Sequence, residues 1–253
     1  MDTNMNKVFF GAEVEGVMVA KATKKPMAMT LLAPQKDKPF ILETGEAVHA
    51  DCSGAETASI PSSSAKEVLA SLQRGFDWWA DTYPDYELQI IPVGVYEERD
   101  MHPVDDWTIG CSPSICVWPD APATPQKYKN TARCYGLHIT FDLPDDNIGD
   151  IEEIVKSLDY RLALWCLNNS PCPEMDKLRR EIGYGRPGEF RLKHLPNGKT
   201  LIEYRTLPNW AYVHLEMFQD IITKLLNDDE YRHQTVAEYS ATPDFWKQLV
   251  KGV

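Results

Sequence analysis

The sequence predicts an α+β fold in which helices flank a mostly antiparallel β-sheet. Apolar runs of strand length are joined by hairpins and long excursions, without the regular strand–helix alternation that is typical of a parallel sheet. Other, longer segments carry apolar residues at helical spacing. With 253 residues the chain is long enough to bury a sizeable core, and we expect residues 1–253 to form a single domain.

The first predicted elements are a strand and a hairpin. Apolar residues at 8–10 and 17–20 enclose the sequence 11–16, so this whole stretch indicates one strand. Residues 40–43 and 47–50 are separated by a short turn that contains Gly45, which predicts a β-hairpin.

A helix follows the hairpin. Ser64 with Glu67 three residues later has the spacing of a capping box, which predicts that a helix begins here. Its buried face consists of Val68, Leu69, Leu72, Phe76 and Trp79. Residues 88–95 then predict a strand that Pro92 interrupts.

The second half of the chain predicts two more strands and three helices. The strands are residues 134–141 and 201–206. Helical spacing predicts helices over 151–165 and 211–226, with a short basic helix around Arg179 and Arg180 between them. Between the halves, residues 99–131 contain five prolines and little periodicity. Such a segment is either a substrate lid or an ordered surface loop.

Two glutamates share one face of the first strand. Side chains two positions apart on a strand point the same way, so Glu13 and Glu15 lie about 7 Å apart, opposite Ala12 and Val14. Neighbouring carboxylates repel unless a cation lies between them. A hard divalent cation such as Mg²⁺ or Mn²⁺ meets that need, whereas a solvated edge strand with two exposed glutamates is the structural alternative.

Two later strands show the same pattern. His138 shares a face with Thr140, and Glu203 shares a face with Arg205, while apolar residues occupy the opposite faces. An ordinary half-exposed strand also alternates in this way. The residue types favour a site, because Glu and His are metal ligands and Arg binds phosphate oxygens.

Composition excludes several other classes of function. The net charge of −12 argues against a surface for nucleic-acid phosphates, although a nucleotide needs only a local cluster of arginine and metal. No run of about 18 apolar residues predicts a membrane span. The first seven residues lack the layout of a signal peptide, so we expect a cytoplasmic protein with its six cysteines reduced.

Five sequence motifs, in order, resemble those of the glutamine synthetase-like carboxylate–amine ligases, most closely a phage-associated branch of amidoligases. They cover about residues 8 to 210 of the chain. They are Gly11-x-Glu13-x-Glu15, Asp51-x-x-x-x-Glu56, Arg133-x-x-Gly136-x-His138, Arg180-x-x-x-Tyr184-Gly185-x-x-Gly188-x-x-Arg191 and Glu203-x-Arg205. One departure is Thr140, where many relatives have a second histidine. The resemblance implies a curved antiparallel sheet that carries two or three divalent ions.

The resemblance also implies roles for individual residues. It implies metal ligation by carboxylates and one imidazole, namely Glu13, Glu15, Glu56, His138 and Glu203. Arg205 would hold the transferring phosphoryl group, and Arg180 or Arg191 the nucleotide phosphates. Arg133 would bind a substrate carboxylate or a phosphate.

The implied reaction is the ATP- and Mg²⁺- or Mn²⁺-dependent formation of an amide or isopeptide bond through an acyl phosphate, with release of ADP and phosphate. The partners would be small-molecule or peptide carboxylates and amines, with no nucleic acid and no membrane; a homo-oligomer is compatible with the family. If the chain is phage-encoded, the compartment is the host cytoplasm. Two alternatives stay open: a phosphagen-kinase-like phosphotransferase, and a non-catalytic binding or scaffold protein on the same fold.

Overall fold

The computed structural model of the chain describes residues 8–103, 107, 114–118, 127–144, 150–242 and 244–251. Within them, the strands and helices confirm the predicted α+β class. The strands are β1 (Phe10–Ala20), β2 (Pro26–Met27), β3 (Phe40–Ile41), β4 (Ala47–Asp51), β5 (Gly54–Ala58), β6 (Tyr86–Gln89), β7 (Val93–Val95), β8 (Ile115–Cys116), β9 (Ala132–Cys134), β10 (Gly136–Leu143), β11 (Glu189–His194) and β12 (Thr200–Pro208). The helices are α1 (Ala65–Thr82), α2 (Ile151–Leu158), α3 (Leu164–Asn168), α4 (Pro173–Ile182), α5 (Leu215–Asn227), α6 (Asp229–Ser240) and α7 (Phe245–Lys251).

One large antiparallel sheet organises the described residues. Its strand order is β3-β4-β5-β1-β10-β12-β11-β8, and β2 and β6 pair with the far end of β1. Strand β1 lies between β5 and β10, and each pairing is antiparallel. Strands β7 and β9 form a separate two-stranded sheet. The prediction of a mostly antiparallel sheet is therefore confirmed, while its curvature stays a prediction.

One face of the sheet carries the core. Alternate apolar residues of β1, β10 and β12 pack with helices α2 and α5 in the largest hydrophobic cluster; on the strands these are Ala12, Val14, Leu137, Ile139, Phe141, Ile202 and Tyr204. Burial of each large apolar side chain contributes about 1.5–3 kcal/mol. Because successive strand residues alternate between faces, the residues between these project from the opposite face.

Some predictions for single strands and helices are confirmed, and others are wrong. The hairpin is confirmed, with Phe40 opposite Val48. Helix α1 begins where Ser64 predicts, but the capping box is wrong, because the Ser64 side chain makes no capping hydrogen bond and Glu67 binds Ser62 Oγ instead. The predicted strand at 88–95 is two strands, β6 and β7, which belong to different sheets.

The long helix predicted over 151–165 is one helical run with a π-helical turn at Asp159–Ala163 between α2 and α3. That turn brings the buried Asp159 carboxylate to Trp118 Nε1 and Tyr204 Oη, at 2.6 and 2.7 Å. The predicted helix over 211–226 begins as a 3₁₀ turn and continues as α5. The irregular segment 99–131 lies partly outside the described residues, so its role as a lid stays a prediction.

None of the helices that the structure describes is long and apolar enough to cross a membrane. Among the described residues, Cys52, Cys116, Cys134, Cys166 and Cys172 are not joined in disulfides; Cys111 lies outside the described residues.

Candidate functional site

The first acidic cluster consists of Glu13, His138 and Glu203, one residue from each of the neighbouring strands β1, β10 and β12. One ligand atom of each lies within 4.8 Å of the others. His138 Nδ1 is 3.5 Å from Glu13 and 3.9 Å from Glu203. Glu13 is the direct cross-strand partner of His138, so strand register alone brings these two together. His138 and Glu203 are buried, whereas Glu13 is partly open.

A β-bulge adds Arg205 to this cluster. The register between β10 and β12 shifts beside His138, so Arg205 and Thr206 both stand opposite this one residue. Bulges re-aim side chains and are frequent beside functional sites. Arg205 Nη1 lies 3.3 Å from His138 Nδ1 and pairs with Glu203 Oε1. A buried, rigid guanidinium therefore lies at the cluster.

The second acidic cluster consists of Glu15, Asp51 and Glu56, again with ligand atoms within 4.8 Å of one another. Glu15 and Glu56 are cross-strand partners on β1 and β5, and Asp51 ends the neighbouring strand β4. His138 links the two clusters, because its Nε2 is 3.9 Å from Glu15 Oε1. The sheet thus presents two three-donor clusters side by side on one face.

Glu15 is held in place by donors from outside β1. Its carboxylate accepts from the Gly136 backbone N–H at 2.7 Å and from Tyr184 Oη at 2.7 and 2.8 Å. Tyr184 lies in a tight connection after α4, where Gly185 has φ +62°. A Cβ on Gly185 would lie 1.8 Å from Arg179 Nη2, so only glycine fits there. Glycine at this position thus lets the chain pass Arg179 and deliver the tyrosine.

The charges of the first cluster are balanced by cations. Burial raises the pKa of Glu203, but His138, Arg205 and Lys193 outweigh it and bring that pKa down to about 2. Lys193 Nζ lies 2.7 Å from Glu203 Oε2 and 3.6 Å from Glu13 Oε1. Arg191, directly opposite Glu203 on β11, lies 3.6 Å from it. Glu203 is therefore an ionised carboxylate at neutral pH.

The second cluster is more strained electrostatically. Burial and the neighbouring charge of Glu56 raise the pKa of Asp51 to about 6. Burial also opposes ionisation of Glu56, but a hydrogen bond with His49 and the charge of Lys36 hold its pKa well below the usual range. Lys36 Nζ lies 2.6 Å from Asp51 Oδ2 and 3.3 Å from Glu56 Oε2. Two carboxylates thus share one lysine.

The donor set of both clusters fits a divalent cation. Five carboxylates and one imidazole converge from fixed strand positions, and hard cations such as Mg²⁺ and Mn²⁺ prefer oxygen ligands. Burial and the charge of Glu56 together raise the pKa of Asp51 even though Lys36 pairs with it. A divalent cation bound there would offset the repulsion between these carboxylates.

The structure places the predicted arginines in different surroundings. Arg205 and Arg191 contact the first cluster. Arg180 is buried in α4, where burial and the charge of Arg179 lower its pKa. Arg133 lies on β9, where its guanidinium donates to the backbone carbonyls of Asn130 and Ala132 and stacks on Trp107 and Tyr128. These contacts hold the Arg133 guanidinium within the β7–β9 region, and its binding of a substrate carboxylate or a phosphate stays a prediction.

Sequence reasoning missed several residues of the site. Asp51 lies in the motif Asp51-x-x-x-x-Glu56, but the family resemblance implies a ligand role only for Glu56. Lys193 could have been found, because it lies two residues beyond Arg191 on the same strand face. Lys36 lies in a connection without periodicity and gave no signal. Asn209, which donates to the Glu15 backbone carbonyl at 2.8 Å, gave none either.

A cavity of about 500 Å³ opens beside the first cluster. Glu13 and Lys193 line it where it meets the cluster, and Phe9, Leu195 and Leu201 add apolar lining. Lys199 adds a second positive charge, paired with Asp142 at 3.0 Å. The cavity is thus mainly apolar, with Lys193 beside the cluster carboxylates and Lys199 beside Asp142.

No protein-family model matches the chain, and no curated protein matches it. Among the solved structures that match is a bifunctional glutathione synthetase from Pasteurella multocida, at 12% identity with a TM-score of 0.46, covering 91% of this chain and 40% of that one. Another is the complex of the prokaryotic ubiquitin-like protein Pup with its ligase PafA, at 10% identity with a TM-score of 0.40, covering 97% of this chain and 64% of that one. The chain spans less than two thirds of either neighbour.

Proposed function

We propose that this protein is an ATP-dependent carboxylate–amine ligase of the glutamine synthetase-like type. The observation that carries the proposal is the pair of three-donor acidic clusters on one sheet face, with Arg205 beside them. Clustered carboxylates of this kind can hold the divalent cations that accompany the triphosphate of ATP. The ordered motifs favour the phage-associated amidoligase branch.

We place the nucleotide in the cavity of about 500 Å³ beside Glu13. Its aromatic and aliphatic lining suits a nucleobase and ribose, and Lys193 and Lys199 suit the phosphates. The terminal phosphoryl group would then lie near Arg205, whose planar fork matches phosphate oxygens. Divalent cations held by the two clusters would neutralise charge on the phosphates during transfer.

The chemistry proceeds in two displacements. A substrate carboxylate oxygen attacks the γ-phosphorus, the bond from phosphorus to the bridging oxygen breaks, and ADP leaves. The amine nitrogen then attacks the acyl carbon, the carbon–oxygen bond breaks, phosphate leaves with the electron pair, and the nitrogen loses a proton. Arg205 holds the phosphoryl oxygens as negative charge gathers there. Tyr184 and Gly136 keep Glu15 fixed in the second cluster.

The test is product analysis with Mg-ATP, hydroxylamine and a panel of amino acids and short peptides as carboxylates. The proposal predicts ADP and phosphate, together with a hydroxamate from the intercepted acyl phosphate. AMP and pyrophosphate would overturn it. ADP with a stable phosphorylated amine and no hydroxamate would establish the phosphotransferase instead, and Glu203→Gln is the control that should abolish turnover.

A further inference from the structure

Each acidic cluster holds a lysine ammonium group in contact with two of its carboxylates. Lys193 Nζ contacts Glu203 and Glu13 in the first cluster. Lys36 Nζ contacts Asp51 and Glu56 in the second, at 2.6 and 3.3 Å. The same arrangement thus occurs twice, built by lysines from unrelated parts of the chain.

The lysine side chains are far more exposed to solvent than the buried carboxylates that they contact. The Lys193 and Lys36 side chains are 41% and 47% exposed, whereas those of Glu203 and Glu56 are 1% and 2% exposed. The backbone of the paired strands fixes these carboxylates next to one another, so they cannot move apart. A long lysine stem at the surface can swing its ammonium ion into water at little cost. The lysine is therefore the displaceable member of each group.

We infer that Lys193 and Lys36 are resident counterions that hold the two acidic clusters together without metal and compete with divalent cations for them. This inference rests on the proposed function, because it takes the clusters to be cation sites. A divalent cation that binds the same carboxylates meets the repulsion of the resident ammonium group, so the two cations compete. Each lysine therefore lowers metal affinity and stabilises the metal-free fold.

For Lys193 the displacement has a direct consequence. Lys193 also lines the cavity of about 500 Å³ in which we place the nucleotide. An ammonium group that leaves Glu13 and Glu203 can therefore stay within that cavity. Lys193 would then bring a positive charge to the nucleotide phosphates, which would couple metal binding to nucleotide binding.

The chain offers a matched control. Lys199 lines the same cavity but pairs with Asp142 at 3.0 Å, so Lys199→Met removes the same charge while leaving the cluster pairs in place. We compare wild type, Lys193→Met, Lys36→Met and Lys199→Met by Mn²⁺ calorimetry and by melting in EDTA. Lys193→Gln and Lys36→Gln serve as second variants if a methionine variant does not fold.

In Lys193→Met and Lys36→Met, the Mn²⁺ dissociation constant should fall about tenfold, each at a different one of the two sites, because one favourable ion pair no longer competes. Both variants should melt at a lower temperature than wild type in EDTA, and Mn²⁺ should raise their melting temperatures by more than it raises that of wild type. The Mn²⁺ dissociation constants of Lys199→Met should stay within about twofold of those of wild type. Equal Mn²⁺ affinity in all four proteins would overturn this inference alone, whereas no Mn²⁺ binding by any of them would overturn the proposed function with it.

Discussion

Arg205 is a buried arginine beside the first cluster, and we propose that its planar fork, rather than its charge alone, binds the phosphoryl oxygens. Arg205→Lys keeps the charge but replaces several fixed donors with one flexible ammonium group. We expect ADP formation to fall at least tenfold, about 1.4 kcal/mol of transition-state stabilisation. Arg99→Lys, at an exposed surface position, is the control and should be unchanged. A loss below about threefold would assign Arg205 a purely electrostatic part.

Tyr184 is the second residue that carries a prediction at this scale. Its hydroxyl donates to both oxygens of Glu15, so Tyr184→Phe leaves that carboxylate less firmly placed. Loss of such a supporting hydrogen bond weakens metal binding by about 10- to 100-fold. Mn²⁺ calorimetry should show this loss at one site while the other is kept. Tyr83→Phe, whose hydroxyl bonds to the Leu32 carbonyl, is the control; equal affinity in both variants would count against the second cluster.

Strand alternation predicted which side chains share a face, and the structure brings three of them together, while their part in metal binding stays a prediction. Glu13, His138 and Glu203 meet because each occupies the polar face of a strand whose other face is core. The position of Arg205 depends also on a bulge, which alternation does not reveal. Lys36 and Tyr184 reach the site from connections, whose paths are set by packing and by glycine conformations rather than by a repeating pattern.

The turn before β4 is tied to helix α1 by Glu46, which makes a prediction at the scale of elements. Burial raises the pKa of Glu46, but hydrogen bonds from Thr44, Arg74 and Ser71 outweigh it and lower the pKa to about 2. Since the unfolded value is 4.5, the ionised form stabilises the fold fully above pH 4.5. That contribution is lost as pH falls towards 2.

Glu46→Gln should therefore cost about 1–3 kcal/mol at pH 7, because buried donors lose a charged acceptor. The gap in unfolding free energy between wild type and variant should shrink as pH falls from 4.5 to about 2. Denaturant unfolding across this range measures it, with the exposed Glu43→Gln as control. A gap that is independent of pH would contradict an ionised Glu46.

Gly75 sets how closely α1 approaches β5, the strand that carries Glu56. A Cβ on Gly75 would lie 2.3 Å from Thr57 Cγ2. Helix propensity alone would favour Gly75→Ala by about 1 kcal/mol. The contact should reverse that sign, so we expect a net loss of about 1–3 kcal/mol in chemical denaturation. Gln73→Ala, exposed on the same helix, should change little, and a stabilised Gly75→Ala would refute the close approach.

At the scale of elements, the sequence predicted the long amphipathic helices and the β3–β4 hairpin because periodicity and turn chemistry are local. The capping box at Ser64 was wrong because Glu67 found a nearer partner in Ser62. Two-residue strands such as β2 and β8 leave no periodic signal at all. The pairing of β8 depends on β11, which is distant in sequence.

Across the whole molecule, the division of one sheet into two faces explains how the site arises. The apolar face packs with α2 and α5, and the opposite face gathers the carboxylates, His138 and Arg205. This division was predictable from three strand patterns. The single-domain organisation, the cytoplasmic location and any homo-oligomer stay predictions, because they depend on surfaces and context that alternation does not encode.

In the function that we propose, the two clusters bind divalent cations side by side, and Mn²⁺ titration monitored by electron paramagnetic resonance measures that binding. We predict two bound ions in wild type, one per cluster. Glu203→Gln and Glu56→Gln should each lose one ion, and the double variant should lose both. Full Mn²⁺ binding by the double variant, or no Mn²⁺ binding by a folded wild type, would show that the two clusters are not the cation sites.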